Sequence, residues 1–269
     1  MKISEKFDNL DENEAALISY VCAGDPSPDA TKNIVSSLVR GGADIIELGL
    51  PFSDPMADGP SIQAASKRSI EAGMNPDLYF ELVSSISDKF NIPFVCMTYY
   101  NLIYKRGTEK FVQDCAQSGI SGVIVPDLPV EESDELANAC QKNDVDLILI
   151  ITPVTGKERT KKITEKSSGF LYIVSRLGVT GARSDIAENT GQLLKMVNSS
   201  IPKAVGFGIS TPEQVKNVVL SGANGVIVGS AFVNIIASND DIYNRTEKFT
   251  AELKNNCYIN YSKSWSTNH

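Results

Sequence analysis

The chain has 269 residues, 42% of them hydrophobic, and 33 acidic side chains against 25 basic ones leave a net charge of −8. That length suits one α/β barrel or two smaller domains, and no Lys/Arg cluster offers a footprint for nucleic acid or anionic lipid. The one histidine, His269, is the last residue, so His-dependent triads are excluded and acid–base work falls to Asp, Glu, Lys, Tyr or Cys.

The first residues lack the apolar core of a secretory signal and are too acidic for a transit peptide, and no stretch nears the roughly 20 apolar residues of a membrane span. Ile3, Phe7 and Leu10, at i, i+4 and i+7, predict a short helix lidding the floor of a barrel. Apolar runs predicted as strands follow at 17–22, 44–49, 94–98, 122–125, 146–151, 170–174, 204–207 and 225–228. Amphipathic segments separate them. The first has Ser27 as cap, Pro28 in its first turn, Ala30, Ile34 and Leu38 on one face, and Gly41 to close it. A later one starts alike, with Thr211 as cap, Pro212 next and Gln214 three residues in. A weak repeat joins Gly42-Ala43-Asp44, Gly119-Ile120-Ser121 and Gly222-Ala223-Asn224, each a helix-ending glycine before an apolar strand.

Eight strands in this alternation predict an α/β fold, a single (β/α)₈ TIM barrel with an extra N-terminal helix, over a doubly wound sheet. With no linker composition inside it, residues 1–255 are expected to form one catalytic domain and 256–269 a loose polar tail. The five cysteines lie far apart without a C-x-x-C, as expected of reduced thiols in a cytoplasmic protein.

In a parallel barrel, chemistry gathers in the loops that follow the strands. The second strand and its loop read Glu47-Leu-Gly-Leu-Pro-Phe-Ser-Asp-Pro-Met-Ala-Asp-Gly-Pro60. Alternation puts Ile45, Glu47 and Gly49 on one face, and a barrel strand is covered on both. A buried Glu gains a raised pKa and becomes a proton donor, unless a Lys or Arg from a neighbouring strand pairs with it. Asp54 and Asp58, beside prolines and Gly59, are ordinary turn residues taken singly. With Glu47, a loop Asp makes a second carboxylate that can stay ionised while the first donates. Three late strand ends are glycine-rich: 175–181, Gly206-Phe207-Gly208 and Gly229-Ser230. Any one of them can be turn punctuation, whereas together they suit a phosphate cradle at a helix N-terminus. No lysine ends a strand, no acidic spacing suits Mg²⁺ and no GxGxxG follows the first strand, so neither metal nor cofactor is expected on this chain.

The 47–60 segment resembles the signature of tryptophan synthase alpha chains. Gly24-Asp25-Pro26, Tyr99-Tyr100-Asn101, the segments 126–132, 175–181 and 206–210, and Gly229-Ser230-Ala231 match in family order, up to about Ala237. The resemblance implies retro-aldol cleavage of indole-3-glycerol phosphate to indole and glyceraldehyde 3-phosphate, in tryptophan biosynthesis. It implies that Glu47 protonates indole C3 and then takes the glycerol hydroxyl proton, while ionised Asp58 stabilises charge at the indole N–H. Tyr172 matches a residue near the indole, and Tyr20 stands beside it where Phe is common. Thr180 matches a residue of a closing loop, Gly181, Gly208, Gly229 and Ser230 match the phosphate binders, and Phe207 is expected among the substrate-binding residues. A beta subunit carrying pyridoxal phosphate is implied as partner, in an alpha2beta2 heterotetramer, with no cofactor on the alpha chain.

The run Tyr99-Tyr-Asn-Leu-Ile-Tyr104 is expected as an exposed apolar loop that meets the beta subunit, with the alternative that Leu102 and Ile103 fold back to cap the third helix. Three other functions compete: a stand-alone lyase with the same chemistry, a non-catalytic barrel that only activates a beta subunit, and another phosphate-binding barrel. Indole release with and without a beta chain separates the first two.

Overall fold

In a computed structural model that describes residues 1–175 and 184–259, the chain enters through a short helix, α1 (Ile3–Asp8), and then alternates strand and helix. Strand β1 (Ala16–Cys22) leads to α2 (Pro28–Arg40), and β2 (Ile45–Gly49) leads to α3 (Pro60–Glu71) and α4 (Pro76–Ser87). After β3 (Phe94–Met97) come α5 (Tyr100–Arg106) and α6 (Thr108–Ser118). Strand β4 (Ile120–Ile124) passes through a 3-10 turn (Val130–Glu132) to α7 (Asp134–Lys142). Two short strands, β5 (Asp146–Ile148) and β6 (Ile150–Ile151), precede α8 (Lys157–Lys166), and β7 (Leu171–Val174) precedes α9 (Ser184–Met196). Last come β8 (Lys203–Gly206), α10 (Pro212–Leu220), β9 (Gly225–Val228), α11 (Ser230–Ala237) and α12 (Ile242–Lys254).

Every strand pairing is parallel, in the order β5-β4-β3-β2-β1-β9-β8-β7-β6. The two ends of that order are neighbours in the chain, separated only by Leu149. They are one strand, broken at a single residue, whose first half pairs with β4 and whose second half pairs with β7. The sheet therefore closes on itself as an eight-stranded barrel.

Alternation along the strands separates two cores. Ile18, Tyr20, Ile45, Val95, Ile124, Ile148, Tyr172 and Ile227 fill the interior, while Leu17, Val21, Ile46, Leu48, Val123 and Ile173 pack outward against the helices. The helices start where side chains supply the missing acceptors: Ser27 Oγ accepts from Ala30 N at 3.1 Å, and Thr211 and Gln214 form a reciprocal capping box. The barrel floor is sealed by α1, with Ile3 fully buried in the interior core and Phe7 6.2 Å from the Phe170 ring.

The same floor carries a knot of charge. Asp44, at the entrance to β2, pairs with Lys6 at 2.8 Å and with Lys254, which also holds Glu14 at 2.5 Å. Beside this knot the first residues of the expected loose tail, 256–259, are anchored, while residues 260–269 lie outside the described residues. Cys257 is fully buried, its carbonyl accepts from Ala15 N at 2.8 Å, and the Tyr258 hydroxyl donates to Glu14 at 2.8 Å. Tyr258 also forms an isolated antiparallel bridge with Glu14. A polar, aperiodic sequence gave no sign of this anchoring, because its partners lie at the other end of the chain. The five cysteines are free and buried, and no helix among the described residues is long and apolar enough to cross a membrane.

Candidate active site

Glu47 lies in the middle of β2, paired in register with Tyr20 of β1 and Val95 of β3, and it faces the barrel interior. It is 1% exposed, and its Oε2 has no hydrogen-bond partner among the described residues. Nor does it join any ion pair there, so the paired-Glu alternative has no support. Burial first, and then the nearby charge of Asp58, push its carboxyl up to about 8. At neutral pH it holds a proton.

Asp58 sits half-buried in the loop between β2 and α3. The Tyr99 hydroxyl donates to its Oδ2 at 3.1 Å and accepts from Ala57 N at 2.9 Å, pinning the loop to the end of β3. Phe52 stacks on the Tyr99 ring at 5.2 Å. Burial raises Asp58 to about 6, the Tyr99 hydrogen bond opposing the rise, so this carboxyl is mostly ionised at pH 7. Asp54 is exposed, hydrogen-bonded to Ser53 at 2.5 Å, and belongs to the turn. Behind the loop, Arg68 of α3 grips buried Asp25 through two hydrogen bonds of 2.8 and 2.7 Å. This forked pair anchors α3, and with it the far end of the Asp58 loop, to the end of β1.

Two tyrosines enter the interior in the same way. Tyr20 on β1 and Tyr172 on β7 each lean over the last residue of the next strand, and that residue is glycine in both cases. A Cβ at Gly49 would lie 2.5 Å from the Tyr20 hydroxyl oxygen, and one at Gly206 would lie 2.5 Å from that of Tyr172. Both phenols feel the charge of Glu47 and Asp58, which helps to hold them well above the usual tyrosine range, although burial is the larger cause.

Phe207 stands edge-on to Tyr172, with ring centroids 6.0 Å apart. Its backbone is left-handed, φ 68°, and Gly208 follows at φ 78°. That conformation costs a non-glycine residue about 1–3 kcal/mol. Ser175 holds it, its Oγ reaching the Gly206 carbonyl at 3.0 Å and the Phe207 carbonyl at 2.6 Å. Around Gly208 a Cβ would meet open space, and Gly229 immediately precedes Ser230, the first residue of α11. The strand end after β8 and the N-terminus of α11 thus offer backbone N–H groups near the barrel mouth. The expected site residues Thr180 and Gly181 lie outside the described residues.

The family model described as "Tryptophan synthase alpha chain" matches residues 7–262. The chain belongs to this family. It is 58% identical over 254 residues to the tryptophan synthase alpha chain of Methanosarcina barkeri, covering 94% of this chain and 96% of the relative. Among solved structures it resembles tryptophan synthase subunit alpha from Legionella pneumophila, with TM-score 0.88 and 32% identity over 96% of this chain and 98% of that one. It also resembles a chain of the tryptophan synthase a2b2 complex from Pyrococcus furiosus, with TM-score 0.84 and 37% identity over 90% of this chain and 98% of that one. Membership carries a lyase role in tryptophan synthesis.

For a tryptophan synthase alpha chain, the 99–104 segment needs a correction. It is not an exposed apolar loop: Tyr100 to Arg106 form α5, capped by Asp127 accepting from Tyr100 N at 2.9 Å. Tyr99 and Ile103 are buried, and Tyr100 and Leu102 pack against the outer core, leaving Tyr104 as the one exposed large side chain of the run. Tyr99 is also the residue that sequence reading missed as part of the site. Its position just after β3 was the available signal, but its contact with Asp58 spans 41 residues of chain.

Proposed function

We propose that the chain cleaves indole-3-glycerol phosphate to indole and glyceraldehyde 3-phosphate, as the alpha subunit of an alpha2beta2 tryptophan synthase in the cytoplasm. One observation carries the reading: Glu47 is buried inside the barrel with no hydrogen-bond or ion-pair partner among the described residues, while Asp58 in the loop above it is half-buried and held by Tyr99, environments that push the two ionisations apart, to about 8 and about 6. Near pH 7 one is an acid and the other an anion, as this reaction requires.

Protonated Glu47 gives its proton to indole C3, and the electron pair of the ring double bond forms the new C–H bond. Positive charge appears at the indole nitrogen, where ionised Asp58 stabilises it without moving. Glu47, now a carboxylate, takes the proton of the glycerol hydroxyl next to the bond that breaks. The oxygen pair forms the aldehyde C=O, the C–C bond pair returns to the ring, and indole leaves. Tyr20 and Tyr172 wall the ring. Gly208, Gly229 and Ser230 receive the phosphate, Phe207 lines the substrate pocket beside Tyr172, and the family resemblance alone adds Thr180 and Gly181 to the site residues. The chemistry calls for no cofactor on this chain, and pyridoxal phosphate belongs to the beta partner.

That partner has a surface to meet. Met56, Tyr104 and Val154, in segments that follow β2, β3 and β6, are 91%, 73% and 75% exposed on the same end of the barrel as the site. Exposed apolar side chains grouped around an active-site mouth favour a protein contact. The test is indole release from indole-3-glycerol phosphate by the purified chain, alone and with a beta chain. Slow release that accelerates with beta is expected, and Glu47→Gln should abolish it. No release under either condition, or full turnover by Glu47→Gln, overturns the reading.

A further inference from the structure

Once Glu47 has given up its proton, a carboxylate stands in an apolar barrel with an oxygen that no described residue satisfies. A buried anion is costly unless a donor reaches it, and a hydrogen bond to a charged group contributes more than one between neutral groups. Among the described residues, the groups that face Glu47 are few. Asp58 is itself an anion. Tyr99, after β3, is committed to Asp58 and to Ala57 N. The Tyr172 hydroxyl lies against Gly206 on β8, and the Cys22 thiol is turned to the Ala23 carbonyl at 3.8 Å.

Tyr20 remains. It is the register partner of Glu47 on the adjoining strand and shares its face. Its hydroxyl lies over Gly49, two residues further along the same face of β2, in space that any other residue there would fill. Its ring lies against β9 as well, since a Cβ at Gly229 would approach Tyr20 Cδ1 to 3.2 Å. The ring is thus wedged between two strand ends with its hydroxyl on the β2 side.

We propose that Tyr20 is a positioning residue for Glu47, its hydroxyl donating a hydrogen bond to the carboxylate that forms when the proton leaves. The inference rests on Glu47 being the proton donor of the proposed reaction. The phenol remains a donor throughout the working pH range, because burial and the surrounding carboxyls oppose its ionisation. Tyr99 and Asp58 keep their own contact, so the two carboxyls are served by two different tyrosines.

Tyr20→Phe keeps the ring and removes only the donor. The expected result is a kcat about tenfold lower with KM unchanged, and an alkaline limb of kcat/KM raised by about one pH unit, as loss of a charge-directed hydrogen bond implies. A second readout needs no turnover: ¹³C-glutamate NMR, with the Glu47 signal assigned by its loss in Glu47→Gln, follows the carboxyl directly. Its titration should move upward in Tyr20→Phe. An unmoved Glu47 titration overturns the proposal even if the enzyme is active. A shifted titration in a chain that releases no indole leaves the Tyr20–Glu47 contact standing and removes the reaction instead.

Discussion

At the scale of the residue, the proposed reaction needs Glu47 protonated and Asp58 ionised together. Raising pH through about 6 supplies the Asp58 anion, and raising it through about 8 removes the Glu47 proton. The pH profile of kcat/KM for the free chain should therefore be a bell centred near neutrality, and a profile flat from pH 5 to 9 would contradict the assignment. Glu47 also bears on stability. Its folded value lies above the ordinary carboxylate value, so between the two the folded state binds more protons than the unfolded one, and stability falls as pH rises from about 4.5 to about 8. Glu47→Gln abolishes that loss. The variant should match the wild type in urea unfolding at pH 4 and exceed it by a few kcal/mol at pH 9. An equal gap at both values would mean that Glu47 does not carry the proton.

At the scale of the element, strand ends decide what the site can hold. Gly49 and Gly206 leave room for two tyrosines, and Gly229 opens α11 toward the mouth. Gly229→Val would put a branched side chain at that helix N-terminus and press on Tyr20 from 3.2 Å or less. The proposed substrate is a dianion, and a chain of charge −8 would hold it through backbone N–H groups and the helix dipole. KM for the phosphorylated substrate should rise on the order of tenfold, and inhibition by glycerol phosphate should weaken in step. Unchanged values for both would move the phosphate site elsewhere. The short helix α5 shows how an element can change a residue's meaning. Helical turning from Tyr100 buries Ile103 and leaves Tyr104 outside.

At the scale of the whole molecule, the barrel has a sealed end and an open one. The floor is closed by α1, by the Asp44–Lys6–Lys254–Glu14 charges and by the anchored residues Cys257 and Tyr258. The open end carries both carboxyls and the exposed side chains Met56, Tyr104 and Val154. Tyr104→Asp combined with Val154→Asp should weaken beta binding and flatten the activation curve, while the slow release by the chain alone survives. Titrating beta chain into the double variant checks this, and an activation curve like that of the wild type would place the contact on another face.

Much of this was legible in the chain itself. The strand and helix periods, the Ser27 and Thr211 caps and the 47–60 signature are local, and a barrel built from repeated βα units adds only the closure that makes them one sheet. Alternation alone put Glu47 on the face of Ile45 and Gly49, because side-chain direction along a strand depends on nothing beyond the backbone. Tertiary structure decided the rest, since the physics there is between residues far apart in sequence. Burial among eight strands and the approach of Asp58 set the Glu47 ionisation, and a tyrosine 41 residues on holds Asp58 in place. Cys257 and Tyr258 looked free because their partners, Ala15 and Glu14, meet them only after the barrel has closed.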